Sequence, residues 1–209
     1  MPTAKRICVV TSRSRAYYSF VSRLRQAGLP FVSLVPGSNC AACDLVLTTR
    51  GETSNCSNRI MTLEELDSDP FIFKGQIISQ LMDGGEVLLI GIDPGTRIGM
   101  AVYYGDASIE FATSDSVESA LDSVVAFSKK VPSKKVVARI GNGNPALALV
   151  MATSLVSGVP RMAVEIVDES GTSARGAKLK GVQGDQRAAA RIAFRRGVPF
   201  ARPSSTVLE

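Results

Sequence analysis

Short continuous apolar runs alternate along this chain with apolar residues at helical spacing, and the alternation predicts a succession of strands and helices. Residues 6–11, 31–35 and 44–49 read as strands. Between the first two, residues 15–27 have helical spacing, with Tyr18, Val21 and Leu24 on one side and Arg13, Arg15, Arg23 and Arg25 as the polar set. Gly28 and Pro30 stop that helix. This predicts a small β-α-β layer with a right-handed crossover. Thr62-Leu63-Glu64-Glu65 has the form of a capping box, and residues 71–82 read as a helix ending at Asp83-Gly84-Gly85. We take the glycine pair as a boundary between a small α/β domain over 1–84, for binding or dimerisation, and a second domain over 85–209.

The second half opens with an apolar run from Val87 to Ile92, which ends in Asp93-Pro94-Gly95-Thr96-Arg97-Ile98-Gly99 and resumes as Met100-Ala101-Val102-Tyr103-Tyr104. It reads as a buried strand, a tight turn and an antiparallel second strand, with Gly95 free to take a turn conformation that larger residues resist. A third strand follows at 109–113, a helix at 117–129, a strand at 136–140, a small-residue helix at 145–157, a strand at 163–167 and a last helix at 185–196. The predicted order is β-β-β-α-β-α-β-α.

At 209 residues and 45% hydrophobic, the chain is long enough for one large domain or two small ones with real cores. No apolar run approaches the roughly 20 residues of a membrane span, and the N-terminus lacks the pattern of a signal peptide. A cytoplasmic protein without membrane partners is expected. There is no histidine, so His-based triads and His metal ligands are excluded, and acid-base work falls to carboxylates, Lys, Tyr or water. The four cysteines lie at 8, 40, 43 and 56. Cys40 and Cys43 have the spacing of a zinc knuckle or a redox pair, with Cys56 as a third zinc ligand and Cys8 as the fourth, but reduced packing cysteines are the simpler expectation.

Charge is unevenly spread. Residues 86–170 carry seven basic and ten acidic groups, whereas residues 171–209 carry eight basic and only two acidic. Three acidic positions stand out in that acidic-then-basic half. Asp93 sits between a buried strand and a Pro-Gly turn, a place to hold a metal ion or a phosphate, although Asp, Pro and Gly are also ordinary turn residues. Asp168 and Glu169 end the 163–167 strand, Asp168 sharing a face with Ile166, and two adjacent carboxylates there call for a positive partner. Asp185 opens the Ala-rich last helix, where it could equally be an N-cap worth about 1 kcal/mol. Arg187, Arg191 and Arg195 follow at intervals of four and form one basic stripe, continuous in type with Arg175, Lys178 and Lys180. A phosphate backbone would lie along that stripe.

The Asp93 motif, the strand ending in Asp168-Glu169 before Ser and Thr residues, and Asp185 on its Ala-rich helix together resemble the RuvC and YqgF branch of the RNase H-like nucleases. The resemblance implies a C-terminal RNase H-like mixed sheet with flanking helices, preceded by the small α/β domain. It also implies a metal-dependent endonuclease hydrolysing phosphodiester bonds, with catalytic Asp93, Asp168, Glu169 and Asp185. Of these, Asp93, Glu169 and Asp185 would be the metal ligands for Mg²⁺ or Mn²⁺, as a pair of ions. Thr96, Arg97, Arg175, Lys178, Lys180, Arg187, Arg191 and Arg195 would contact nucleic acid. A Holliday junction resolvase acting on four-way DNA as a homodimer is the first expectation, and processing of structured RNA the second. The chain departs from the pattern twice. Ser170 stands where the YqgF strand has Arg, a contact that Arg175 could supply. Asn142 and Asn144 stand where RuvC resolvases have a carboxylate, with no acid between 123 and 164, as in the YqgF branch. A catalytically inactive nucleic-acid binding or scaffolding module therefore stays open. The actin-like kinases share a similar strand-Asp-Gly-Thr arrangement but need two such lobes, for which the remaining length is too short.

Overall fold

The structure is a computed structural model and describes residues 5–52, 59–169 and 184–201. It is a mixed α/β protein of two compact units, Met1–Gly84 and Gly85–Glu209.

The first unit contains β1 (Ile7–Val10), α1 (Ser14–Gln26), β2 (Phe31–Leu34), β3 (Leu45–Thr48), β4 (Arg59–Thr62) and α2 (Pro70–Leu81). Its strands lie in the order β2-β1-β3-β4, all parallel. Strand alternation sends Ile7, Val9, Leu45 and Leu47 to one face, where Ala16, Phe20 and Leu24 of α1 and Phe73, Ile77 and Leu81 of α2 cover them. The buried stripe of α1 is thus Ala16-Phe20-Leu24, and Tyr18, expected on the apolar side, is 75% exposed. The expected capping box does not start a helix. Glu65 accepts the Thr62 amide at 2.8 Å, but within a turn after β4. The cap of α2 is Asp69, whose carboxylate accepts the Phe71 and Ile72 amides at 2.9 Å, with Pro70 pre-set in the first turn.

On the other face of this sheet Cys8, Val10 and Val46 form a second cluster with Cys40 and Cys43. Here the expectation of reduced cysteines is corrected. Cys8 and Cys43 are joined in a disulfide, their Cα atoms 5.9 Å apart, and Cys40 is disulfide-bonded as well. Among the described residues no cysteine remains free, and a zinc site, which needs thiolates, is not formed by them. Cys56 lies outside the described residues.

The second unit contains β5 (Val87–Pro94), β6 (Ile98–Tyr104), β7 (Ala107–Ser114), α3 (Val117–Lys130), β8 (Lys135–Gly141), α4 (Pro145–Gly158), β9 (Met162–Val167), α5 (Gly184–Phe194) and the short β10 (Val198–Pro199). The sheet order is β10-β9-β8-β5-β6-β7. Strands β5, β6 and β7 form an antiparallel meander, while β8 and β9 add in parallel to β5. The parallel pairs are separated in sequence by α3 and α4, as parallel neighbours require.

Helix α5 crosses the face that carries Leu89, Ala101, Tyr103 and Val137, against which Ala189, Ala190 and Ala193 pack. The approach is close because β5 and β6 offer no side chains there. A Cβ on Gly91 would come within 2.7 Å of the Ala193 amide nitrogen, and one on Gly99 within 2.6 Å of the Asp185 carbonyl carbon. Small residues on both sides therefore set the helix onto the sheet, and its first turn lands beside Asp93.

Candidate acidic site

Asp93 is the seventh residue of β5, and its antiparallel partner on β6 is Gly99. The last paired rung of β5 with β8 is Ile92 with Ile140, so Gly141 comes one step further, at the level of Asp93. Asp93 is thus flanked by glycines on both neighbouring strands, and a carboxylate residue from another element fills each gap. Asp185, in the first turn of α5, lies over Gly99. The Glu169 carboxylate lies over Gly141, where a Cβ would sit 2.8 Å from Glu169 Cδ.

The loop after β8 holds Glu169 in place. The Gly143 amide donates to Glu169 Oε1 at 2.9 Å, and the Glu169 amide donates to Asn142 Oδ1 at 3.0 Å. The Asn142 amide in turn donates to the Val167 carbonyl at 3.0 Å. Asn142 therefore serves as a backbone clamp on the end of β9. Asn144 has a different task, capping α4 by accepting the Leu147 amide at 3.2 Å.

These placements have an electrostatic consequence. Burial of Asp93, and then the charges of Glu169 and Asp185, raise its pKa from 3.8 to about 6. Three acids from β5, the end of β9 and the start of α5 therefore act on one another, although among the described residues no group of three forms a ready-made metal-binding cluster. The donor set is all carboxylate, the hard oxygen chemistry that suits Mg²⁺ or Mn²⁺. A cation here would offset both the burial and the repulsion that raise Asp93.

Asp168 is placed otherwise. It is exposed, with its carboxylate 3.5 Å from the Asn142 side-chain nitrogen, and it is not among the charges acting on Asp93. Strand β9 ends at Val167, so Asp168 and Glu169 both follow it, and of the two it is Glu169 whose charge acts on Asp93. Gly95 also differs from expectation. It is not left-handed, and what restricts the position is the Arg97 carbonyl, 3.1 Å from where a Cβ would be.

Of the expected nucleic-acid contacts, Thr96 is exposed in the turn beside the acids. Arg97 is committed elsewhere, donating to Asp115 at 3.1 Å and to Thr113 at 3.0 Å. Arg187 and Arg191 are exposed on α5 and Arg195 just beyond it. Arg191 and Arg195 share a cavity of about 40 Å³ with Glu169, so positive charge does reach the acidic site. Arg175, Lys178 and Lys180 lie outside the described residues. Sequence reasoning placed Asn142 at this strand end but missed its clamp on Glu169, and it missed Gly99, Gly141 and Gly143 as parts of the site. The available signal was glycine at strand positions, which marks close approach by another part of the chain or by a ligand.

Comparison with protein-family models finds no match, and no curated protein matches. Among solved structures, the chain is similar to the Argonaute of Marinitoga piezophila in complex with 5′ OH guide RNA, with a TM-score of 0.26 and 12% identity. The similarity covers 78% of this chain and 39% of that one, so the chain spans well under half of that protein's length. At that TM-score the likeness carries no weight for fold or function, which rest on strand order and residues.

Proposed function

We propose that the second unit is an RNase H-like domain of the RuvC/YqgF type, and that it is a metal-dependent endonuclease acting on structured nucleic acid. The convergence of Asp93, Glu169 and Asp185 carries the reading, since three separate elements bring acids close enough that the charges of Glu169 and Asp185 add to burial in raising Asp93 to about 6. The sheet order supports it, with the first strand of the unit central, a meander on one side and two parallel strands on the other. Asp93, Glu169 and Asp185 would hold Mg²⁺ or Mn²⁺, and a bound pair of ions would supply Lewis acidity and activate water for in-line hydrolysis.

The chain's own residues do the rest. Asn142 and Gly143 fix Glu169, while Gly99 lets α5 bring Asp185 to the same strand end. Asp93 is ionised above about pH 6 and protonated below it. Arg187, Arg191 and Arg195 offer a cationic line for the phosphate backbone leading to the acids. A four-way DNA junction is the first substrate, cut by a homodimer that sets two sites on opposed strands, and structured RNA is the second. The setting we propose is the cytoplasm.

A second reading has one observation in its favour. The end of β8 supplies Asn142, committed to the β9 terminus, where a fourth carboxylate would strengthen metal binding. That favours a binding module which has lost cleavage.

The test is cleavage of labelled four-way junction, duplex DNA and RNA with Mg²⁺ or Mn²⁺ by wild type, Asp93→Asn and Asp185→Asn. Cuts that vanish in both variants while binding persists support the nuclease. Binding equal in all three proteins with no cuts supports the module.

A further inference from the structure

On the face of the second sheet that carries Asp93, beyond the far end of α5, lies a cavity of about 460 Å³. Strand alternation fixes the shared face, because Val87, Leu89, Gly91 and Asp93 follow one another at intervals of two along β5. At about 3.3 Å per residue, Leu89 is about 13 Å and Val87 about 20 Å from Asp93 along the strand. The cavity exists because α5 ends at Phe194 and leaves the first rungs of β5 and β8 uncovered.

Its floor is apolar, made by Val87, Leu89 and Val137, and its rim is basic, with Lys135, Arg139 and Arg196 against the single carboxylate of Glu165. That carboxylate is already matched. Arg139 pairs with Glu165 at 2.8 Å, both side chains less than one-fifth exposed, and also donates to the Ala193 carbonyl at 2.6 Å. Arg139 is therefore a fixed wall. Lys135 lies near enough to Glu165 to act on its charge, and Arg196 has no hydrogen-bond or ion-pair partner among the described residues. The rim thus carries two cations beyond those its own carboxylate neutralises. The volume falls within the range of small-ligand sites, which pair an apolar lining with a few placed polar groups.

We propose that this cavity is a nucleotide-binding site, taking a phosphate at Lys135 and Arg196 and a base against Val87, Leu89 and Val137. An anion with an apolar part follows from the cavity itself, and the choice of a nucleotide among such anions rests on the proposed function. The nucleotide is either free or part of a strand whose other end reaches the acidic site on the same face.

The full chain is titrated with a fluorescent nucleoside monophosphate and, separately, with a labelled 12-nucleotide single strand, in EDTA so that cleavage plays no part. The proteins compared are wild type, the double variant Lys135→Gln/Arg196→Gln, Val87→Trp to fill the floor, and Asp93→Asn. Thermal melts identify the variants that fold. If the nucleotide is free, wild type binds the monophosphate and the double variant loses at least about tenfold in affinity, with Val87→Trp likewise impaired and Asp93→Asn unchanged. If it belongs to a strand, the same loss is seen with the 12-mer. Wild type binding neither probe, or the double variant binding both as tightly as wild type, overturns the site. Because the assay reads binding without metal, its failure is distinct from failure of the nuclease reading, which is a loss of cleavage.

Discussion

Asp185 lies directly over Gly99, so that a single methyl group at position 99 would come within 2.6 Å of the Asp185 carbonyl carbon. Gly99 is also the cross-strand partner of Asp93. The missing side chain therefore brings one acid to the level of another, and the sheet sets the spacing of this pair.

Gly99→Ala should displace the first turn of α5. Overpacking of this kind costs about 1–3 kcal/mol, and it should also abolish the thermal stabilisation by Mn²⁺ that the proposed metal site predicts for wild type. A differential scanning measurement with and without Mn²⁺ reads both effects. An alanine variant that melts and responds to Mn²⁺ as wild type does would show that the contact is not structural.

The pH dependence of stability has a definite sign at Asp93. Its pKa is raised in the folded protein to about 6, from an ordinary 3.8, first by burial and then by Glu169 and Asp185. The folded state therefore holds this proton over a range where the unfolded state has released it. Its contribution to stability falls as pH rises from about 4 through about 6, and is level beyond. Urea melts of wild type and Asp93→Asn should diverge over that window, the variant gaining relative stability toward pH 7. Curves that stay parallel would contradict the coupling.

Asn142→Ala should free the end of β9 and unfix Glu169. A lost positioning contact of this type commonly lowers metal affinity about 10- to 100-fold. Calorimetric titration with Mn²⁺ measures it, and Asp168→Asn, altering the exposed carboxylate outside the cluster, should change the affinity far less. Equal losses in the two variants would place Asp168 in the metal site beside Glu169.

In the first unit, Glu52 accepts hydrogen bonds from the Thr11, Ser12 and Thr49 hydroxyls and from the Ser12 amide. Burial opposes its ionisation, but these donors outweigh burial and bring its pKa from 4.5 down to about 2. The contribution is present above about pH 4.5 and lost as pH falls through about 2. Glu52→Gln should lower the melting temperature at pH 7 by a few degrees, on the order of the shift that about 1 kcal/mol gives a small domain, and should remove part of the acid sensitivity.

Strong local patterns made much of the architecture legible in the sequence. The apolar run ending at Asp93, the resumed run after Gly99 and the helix opening at Asp185 all carry their periodicity openly. Other parts depend on what comes from elsewhere in the chain. Helical spacing in α1 fits more than one stripe, and only the sheet beneath selects Ala16-Phe20-Leu24 over the face with Tyr18. Glu65 makes the local bond of a capping box, yet Asp69 starts the helix because Pro70 follows it. Strand β10, at two residues, is too short to show an alternating period, and β4, though as long as β1, is the half-buried segment Arg59–Thr62 rather than a continuous apolar run. At the site, the acids were legible as residue types, but the glycines that admit them and the Asn142 clamp were not. Their roles arise from register between strands distant in sequence.

Mn²⁺ binding followed by electron paramagnetic resonance at pH 7.5, in wild type and in Asp93→Asn, Glu169→Gln and Asp185→Asn, asks whether the three carboxylates share one metal centre. Wild type should bind Mn²⁺, and each of the three substitutions should weaken binding at least about tenfold, since each would remove a charged ligand from one shared site. Three variants that bind Mn²⁺ as wild type does would show that Asp93, Glu169 and Asp185 lie together without forming a metal centre.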